Sequence, residues 1–179
     1  TTTIANACYT TLSYLYIAPE LPIFQPVLTK PESIMKCEDV TYQVLLDAGG
    51  SLGAHVDNIQ IILPQPASGE YSYLSGSGSL FYNGSTYTVS SYSYNTDTLV
   101  WYIDSISGTP MEYFGSPDTA VFSFTIETSC GFQNINDLNL FVYAENFCGF
   151  SLFNDFDTLD ATIEVIEGLP ELDSLGIST

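Results

Sequence analysis

Between residues 38 and 64 apolar and polar side chains alternate on either side of a glycine-rich break. Val40, Tyr42, Val44 and Leu46 interleave with Asp39, Thr41 and Gln43, the pattern of a strand with one buried face. Ile59, Ile61 and Leu63 follow the same rule with Asn58 and Gln60, up to Pro64, which cannot donate to a ladder. The Asp47-Ala-Gly-Gly-Ser stretch supplies the positive φ values that a tight connection needs. Two strands joined by such a connection are expected here.

The same alternation recurs along the chain. Residues 8–17 place Leu12, Tyr14 and Tyr16 on one face and predict a first strand. Pro19, Pro22, Pro26 and Pro31 then fall at short intervals, which suits an extended sheet edge or a crossing between sheets. Ile23, Phe24, Val27 and Leu28 keep that segment inside the domain. In residues 80–89, Asn83-Gly84 between β-forming residues predicts a hairpin with a type I′ turn. Residues 98–103 turn Leu99, Trp101 and Ile103 to one side, with Trp101 in the core. Residues 120–126, 138–144 and 161–166 are the remaining strands, and the pattern is lost from Gly168 onward. About nine or ten short strands without a helical window predict an all-β, immunoglobulin-like antiparallel sandwich.

Composition narrows the setting. The chain has 21 acidic residues against two basic ones, Lys30 and Lys36, and a net charge of −19. Nucleic-acid binding depends on Lys and Arg to displace counterions from phosphates, so that class is excluded, and anionic membrane surfaces are disfavoured for the same reason. No apolar window is long enough for membrane insertion. No basic, then apolar, leader opens the chain, so residue 1 reads as the start of a mature protein or of a fragment. Cys8, Cys37, Cys130 and Cys148 show no zinc spacing and allow three pairings. Two disulfides in an oxidising, extracellular compartment are expected. The preferred pairing is Cys130–Cys148, closing the shorter loop between two Cys-Gly-Phe tripeptides, with Cys8–Cys37 as the remainder.

From Cys37 to Glu167 the order of features resembles the conserved repeat domain of long prokaryotic surface proteins. The matching segments are Asp39-Val-Thr-Tyr-Gln-Val-Leu-Leu, Ile61-Ile-Leu-Pro64, Leu74-Ser-Gly-Ser-Gly-Ser-Leu, Leu99-Val-Trp-Tyr-Ile and Val121-Phe-Ser-Phe-Thr-Ile. Asp47-Ala-Gly-Gly departs from the family's usual Asn-x-Gly turn, and residues 1–36 lie outside the match. The resemblance implies an immunoglobulin-like repeat at 37–168, with residues 1–36 packed on it and 169–179 as an exit tail or linker. The Thr- and Tyr-rich, Arg-free composition is most similar to cell-surface adhesins of Bacteroidota, including those of gliding motility. Bacteria of that group O-glycosylate Asp-Ser/Thr followed by a small aliphatic residue. Five such sites, at Thr98, Ser105, Thr119, Thr158 and Ser174, exceed chance and imply a glycoprotein whose modified hydroxyls are exposed.

His55, just after a flexible turn, could in principle join Asp57 and a serine in a hydrolase triad, but it reads as a plain loop residue. No carboxylate pair stands out for glycoside chemistry, and the chain is read as not an enzyme. Asp155, Asp157 and Asp160 concentrate oxygen ligands as a Ca²⁺ site does, but without the Gly and Glu of an EF-hand. A solvated acidic turn is expected there, with Ca²⁺ the sole cofactor candidate. Lys30 and Lys36 are read as ordinary exposed lysines rather than cross-linking ones. The tyrosines from Tyr71 to Tyr102 alternate with Ser and Thr as an exposed sheet face does, with a sugar-stacking platform as the alternative. The reading is an extracellular structural module at the cell surface, a repeat unit or fibre subunit whose partners are neighbouring copies. A glycan-binding adhesin tip is the alternative.

Overall fold

A computed structural model describes residues 22–50, 54–65, 71–95, 97–103, 114–115, 117–130, 138–146, 148–153 and 156–166. The expected strand at 8–17 lies outside them.

The strand with the cleanest alternation organises one sheet. β3 (Val40–Gly49) buries Val40, Tyr42, Val44, Leu46 and Ala48 on one face. It is flanked on one side by β1 (Ile23–Thr29) and on the other by β10 (Thr119–Thr128), both antiparallel. β1 is the proline-spaced segment. It is an edge strand, where Pro26 opposite Leu46 withdraws only one ladder donor. Beyond β10 come β6 (Ser79–Tyr82) and β7 (Ser85–Thr88), while β5 (Tyr71–Tyr73) pairs with the far end of β10. The result is a six-stranded sheet.

The β6–β7 hairpin has the expected turn. Tyr82 is opposite Ser85, and Asn83 and Gly84 adopt φ values of 49° and 74°. Both central residues are left-handed, as type I′ requires.

The second sheet has five strands in the order β12 (Asp157–Asp160), β11 (Asn139–Asn146), β4 (Val56–Pro64), β9 (Thr98–Tyr102) and β8 (Ser91–Asn95). β3 and β4 therefore sit in opposite sheets. Their glycine-containing link is an arch between layers, with Gly50 at φ 95°, and not a tight turn between paired neighbours. Asn58, at φ 49°, lies where the β4–β11 register shifts, which explains how Val56 and Ile59 both reach the core three residues apart.

The last expected strand, at 161–166, is shorter. β13 (Glu164–Ile166) pairs in parallel with β2 (Ser33–Met35), while Ala161 and Ile163 are buried just before it. Among the described residues there are thirteen strands and no helix. Three of them, β2, β5 and β13, are three residues long, too short to show an alternation, and β8 and β12 lie where the sequence reading predicts no strand.

The core lies between the two sheets and is aromatic at its centre. Trp101 from β9 is fully buried against Phe122 and Phe124 of β10, with ring centroids 5.3 and 4.9 Å away. Tyr42 stacks on Phe124 at 5.3 Å, and Tyr73 meets Trp101 edge-on at 5.2 Å. Burying such rings gives the largest apolar area per residue, and their offset and edge contacts add to it. The Tyr42 hydroxyl donates to the Ala161 carbonyl at 2.9 Å, so its polar end is satisfied inside the core.

The disulfide pairing differs from the expected one. Cys37 is bonded to Cys130, not to Cys8, and Cys130 is therefore not bonded to Cys148. The register explains it: Val40 faces Ile126, so Cys37, three residues before β3, and Cys130, two residues after β10, meet at one end of the sheet. Cys148 follows β11, in the other sheet. It too is disulfide-bonded, to a partner outside the described residues. Closeness in sequence was the wrong guide, because antiparallel pairing across 93 residues brought the ends together.

Candidate functional site

The candidate chemical groups are spread over the sandwich. His55 forms an isolated bridge with Gly115, where the backbones are so close that a Cβ on Gly115 would lie 2.1 Å from the Ala54 carbonyl oxygen. The Asp57 carboxylate accepts the adjacent Asn58 N–H at 3.0 Å. His55 thus belongs to a tightly packed crossing rather than to a loop.

The acidic segment is also not a turn. Asp157 and Asp160 open and close β12, three positions apart, so a strand directs them to opposite faces. Asp155 lies outside the described residues. Asp160 accepts the Thr162 N–H at 2.9 Å, and its carboxyl is held below its ordinary pKa mainly by Thr162 hydrogen bonds and less by Lys30. The Lys30 ammonium donates to the Thr162 carbonyl, tying the end of β1 to the approach to β13. Among the described residues no three His, Cys, Asp or Glu side chains gather as a metal site.

The tyrosines divide between core and surface. Tyr71 and Tyr82 are buried, donating to the Pro64 carbonyl at 2.9 Å and to Asp118 Oδ2 at 3.1 Å. The Tyr73 hydroxyl accepts the Gly78 N–H at 3.0 Å. Tyr92 is exposed on β8 and packs edge-on against Tyr102, 5.7 Å between centroids. Of the candidate glycosylation sites, Thr119 and Thr158 are exposed, while Thr98 is half-buried opposite Pro64. Ser105 and Ser174 lie outside the described residues.

What the strand patterns hid is the arrangement of the two outer faces. Following the register across the six-stranded sheet, Val27 is opposite Leu45, Leu45 opposite Val121, and Val121 opposite Phe81. All four point away from the core, forming one apolar row across four strands. The neighbouring row is Thr29, Gln43, Ser123, Ser79 and Thr88, and on the other side stand Gln25, Asp47 and Thr119. On the five-stranded sheet a row of the same direction joins Phe141, Ile62, Val100 and Tyr92. There Phe156 rests against Phe141 and Tyr143, with centroids 6.2 and 5.9 Å away.

No protein-family model matches the sequence, and no curated protein does. Solved structures do match in fold. The major pilin subunit BcpA of Bacillus cereus, in its D312A form, aligns with a TM-score of 0.54 at 8% identity, over 82% of this chain and 40% of the pilin. The full-length major pilin SpaD of Corynebacterium diphtheriae aligns with a TM-score of 0.51 at 8% identity, over 76% of this chain and 33% of that one. The chain has an immunoglobulin-like, antiparallel all-β fold. It spans 40% or less of the length of these pilins.

In such a sandwich every strand spends one face on the core, so any surface for a partner must come from the other face, an edge or the loops. The apolar row on the six-stranded sheet is an exposed outward grouping that the register assembles. Val27, Leu45 and Phe81 are 51, 36 and 52% exposed; on the matching row of the other sheet Tyr92 is 58% exposed and Val100 4%. A one-dimensional reading shows one out-of-phase apolar residue in each of β3, β10 and β6, and two in β1, Ile23 and Val27. Their alignment needs the pairing register.

Proposed function

We propose that this chain is an extracellular structural module, a repeat unit or fibre subunit of a bacterial surface adhesin, whose partners are neighbouring copies. The observation that carries the reading is the fold match. Most of this chain superposes on a little over a third of a major pilin, as one module of a multi-part fibre subunit would. The bonded cysteines fit an oxidising location outside the cell. The composition supports it too, since an acidic, nearly Lys- and Arg-free surface has few sites for trypsin-like proteases. The finer assignment, to Bacteroidota adhesins of the gliding-motility type, rests on the sequence resemblance and on the five Asp-Ser/Thr sites. Thr158, exposed on β12 at the edge of the five-stranded sheet, is the site best placed to carry sugar.

Immunogold electron microscopy of the source cells tests the reading. Labelling in regular arrays or filaments at the surface is the expected result, and labelling confined to the cytosol would reject it. Native protein should also carry added hexose mass on the peptide containing Thr158, and an unmodified mass would remove the glycoprotein assignment. The second reading, a glycan-binding tip, is favoured by the outward Tyr92–Tyr102 pair, which offers an aromatic face at a sheet edge. Binding on a glycan array that Tyr92→Ala abolishes would select it.

A further inference from the structure

Val27, Leu45, Val121 and Phe81 stand in register on the face turned away from the core, and three of the four are more than a third exposed. The fold does not need them there. Threonine forms strands as well as valine does at a solvent-facing position, and Thr, Ser and Gln fill the adjoining rows. We infer that this row is the centre of a contact face for a second copy of the chain, the two six-stranded sheets stacking face to face about a two-fold axis. The inference rests on the structural-module reading and deepens it by naming the contact surface.

Charge decides the occupant. With a net charge of −19 and two lysines, most of the surface repels another copy. The apolar row and the rows on either side of it contain one carboxylate, Asp47, and no cation. A cationic partner gains little there, and a polyanion gains nothing. A neutral face of aliphatic and aromatic side chains bordered by hydroxyls and amides complements itself, which is the requirement of an isologous contact. Stacked sheets also bury alternate residues of each strand, and these four are the alternate residues on offer.

Area sets the strength. Five strands about 4.8 Å apart, with about six residues each, give a face of roughly 20 Å by 20 Å, or about 400 Å². That is about half of the roughly 800 Å² per partner in a standard stable interface. The free chain therefore forms a weak dimer. Copies already held side by side in an array meet at an effective concentration near the millimolar range, where such a contact is populated.

Sedimentation velocity of the whole chain, across concentration and from about 0.05 to about 1 M NaCl, tests this. The expected result is a monomer–dimer equilibrium that strengthens as salt screens the net charge. Leu45→Thr combined with Phe81→Thr should weaken it by about tenfold or more with an unchanged thermal midpoint. Tyr92→Thr, on the other sheet, should leave the equilibrium where it was. A wild-type chain still monomeric at about 1 mM in high salt overturns the inference. So does a dimer that the double substitution does not weaken, or one that salt dissociates. A monomer that floats with neutral phosphatidylcholine vesicles makes lipid the occupant and overturns it as well. The two readings fail separately. Monomers in solution with regular filaments on cells remove the contact face alone. A dimer lost in the double variant, with no surface labelling, supports the face and removes the surface-module reading.

Discussion

The two outer faces of the sandwich are built from the same alternation and reach opposite ends. On the five-stranded sheet the outward rings pack on one another, Phe156 on Phe141 and Tyr143 and Tyr92 on Tyr102, with Phe156 and Tyr92 still 49 and 58% exposed and Val100 shut from solvent. On the six-stranded sheet the outward row is mostly aliphatic and shows no such ring contact among the described residues, and hydroxyl and amide rows border it. Ring size accounts for part of this. Aromatic side chains reach the diagonal neighbours on a sheet, while Val and Leu meet only those directly opposite. A solvent-facing sheet can thus hold apolar residues for its own stability or for a partner, and contact between the outward rings marks the first use.

The largest effect should come from breaking what both faces share. Trp101→Ala removes the ring that joins β9 to Phe122 and Phe124 of the opposite sheet, and should cost about 3–5 kcal/mol in chemical denaturation. A loss below 1 kcal/mol would mean that the sheets are held together elsewhere.

Next is the clamp at the end of the six-stranded sheet. Cys37→Ser with Cys130→Ser opens a cross-link spanning 93 residues and should cost about 2–5 kcal/mol. Non-reducing peptide mapping should recover the Cys37–Cys130 pair, and a Cys130–Cys148 peptide in its place would overturn the register argument.

The contrast between the faces is sharpened by matched substitutions. Phe141→Ala exposes the ring of Phe156 and should destabilise by about 1–2 kcal/mol, whereas Phe81→Thr should stay within about 0.5 kcal/mol. Equal losses at the two positions would erase the distinction between a self-covered face and a bare one.

The smallest effect under ordinary conditions is alkaline. Burial, with lesser contributions from Tyr71 and Asp160, pushes the Tyr42 hydroxyl well above its ordinary pKa. The folded pKa is raised, so the neutral ring's contribution is complete below the unfolded value of about 10 and is lost progressively as pH rises beyond it. Tyr42→Phe should flatten that alkaline decline while giving up about 1 kcal/mol at pH 7 with the bond to the Ala161 carbonyl. An unchanged alkaline slope in Tyr42→Phe would assign the decline to other groups.

Much of the fold was legible in the chain because its signals are local. Alternation over seven residues told which side chains of β3, β4 and β10 enter the core. Asn83-Gly84 told where β6 turns into β7, because few residue pairs accept two left-handed conformations in succession. Pro26 marked β1 as an edge through the donor it lacks.

Which strands pair is a different matter. Val40 faces Ile126 and Ile61 faces Trp101 across intervals that carry no mark in either segment. The choice depends on how whole faces fit, and two strands with the same alternation fit a given sheet equally well on paper. For that reason the link after β3 read as a tight turn though it crosses between sheets, and the acidic stretch at β12 read as a loop though its carboxylates point apart. Cys37 likewise found Cys130 rather than a neighbour in sequence. The apolar row on the six-stranded sheet belongs to this second class. Each of its four residues is unremarkable within its own strand, and only the register of four strands places them side by side.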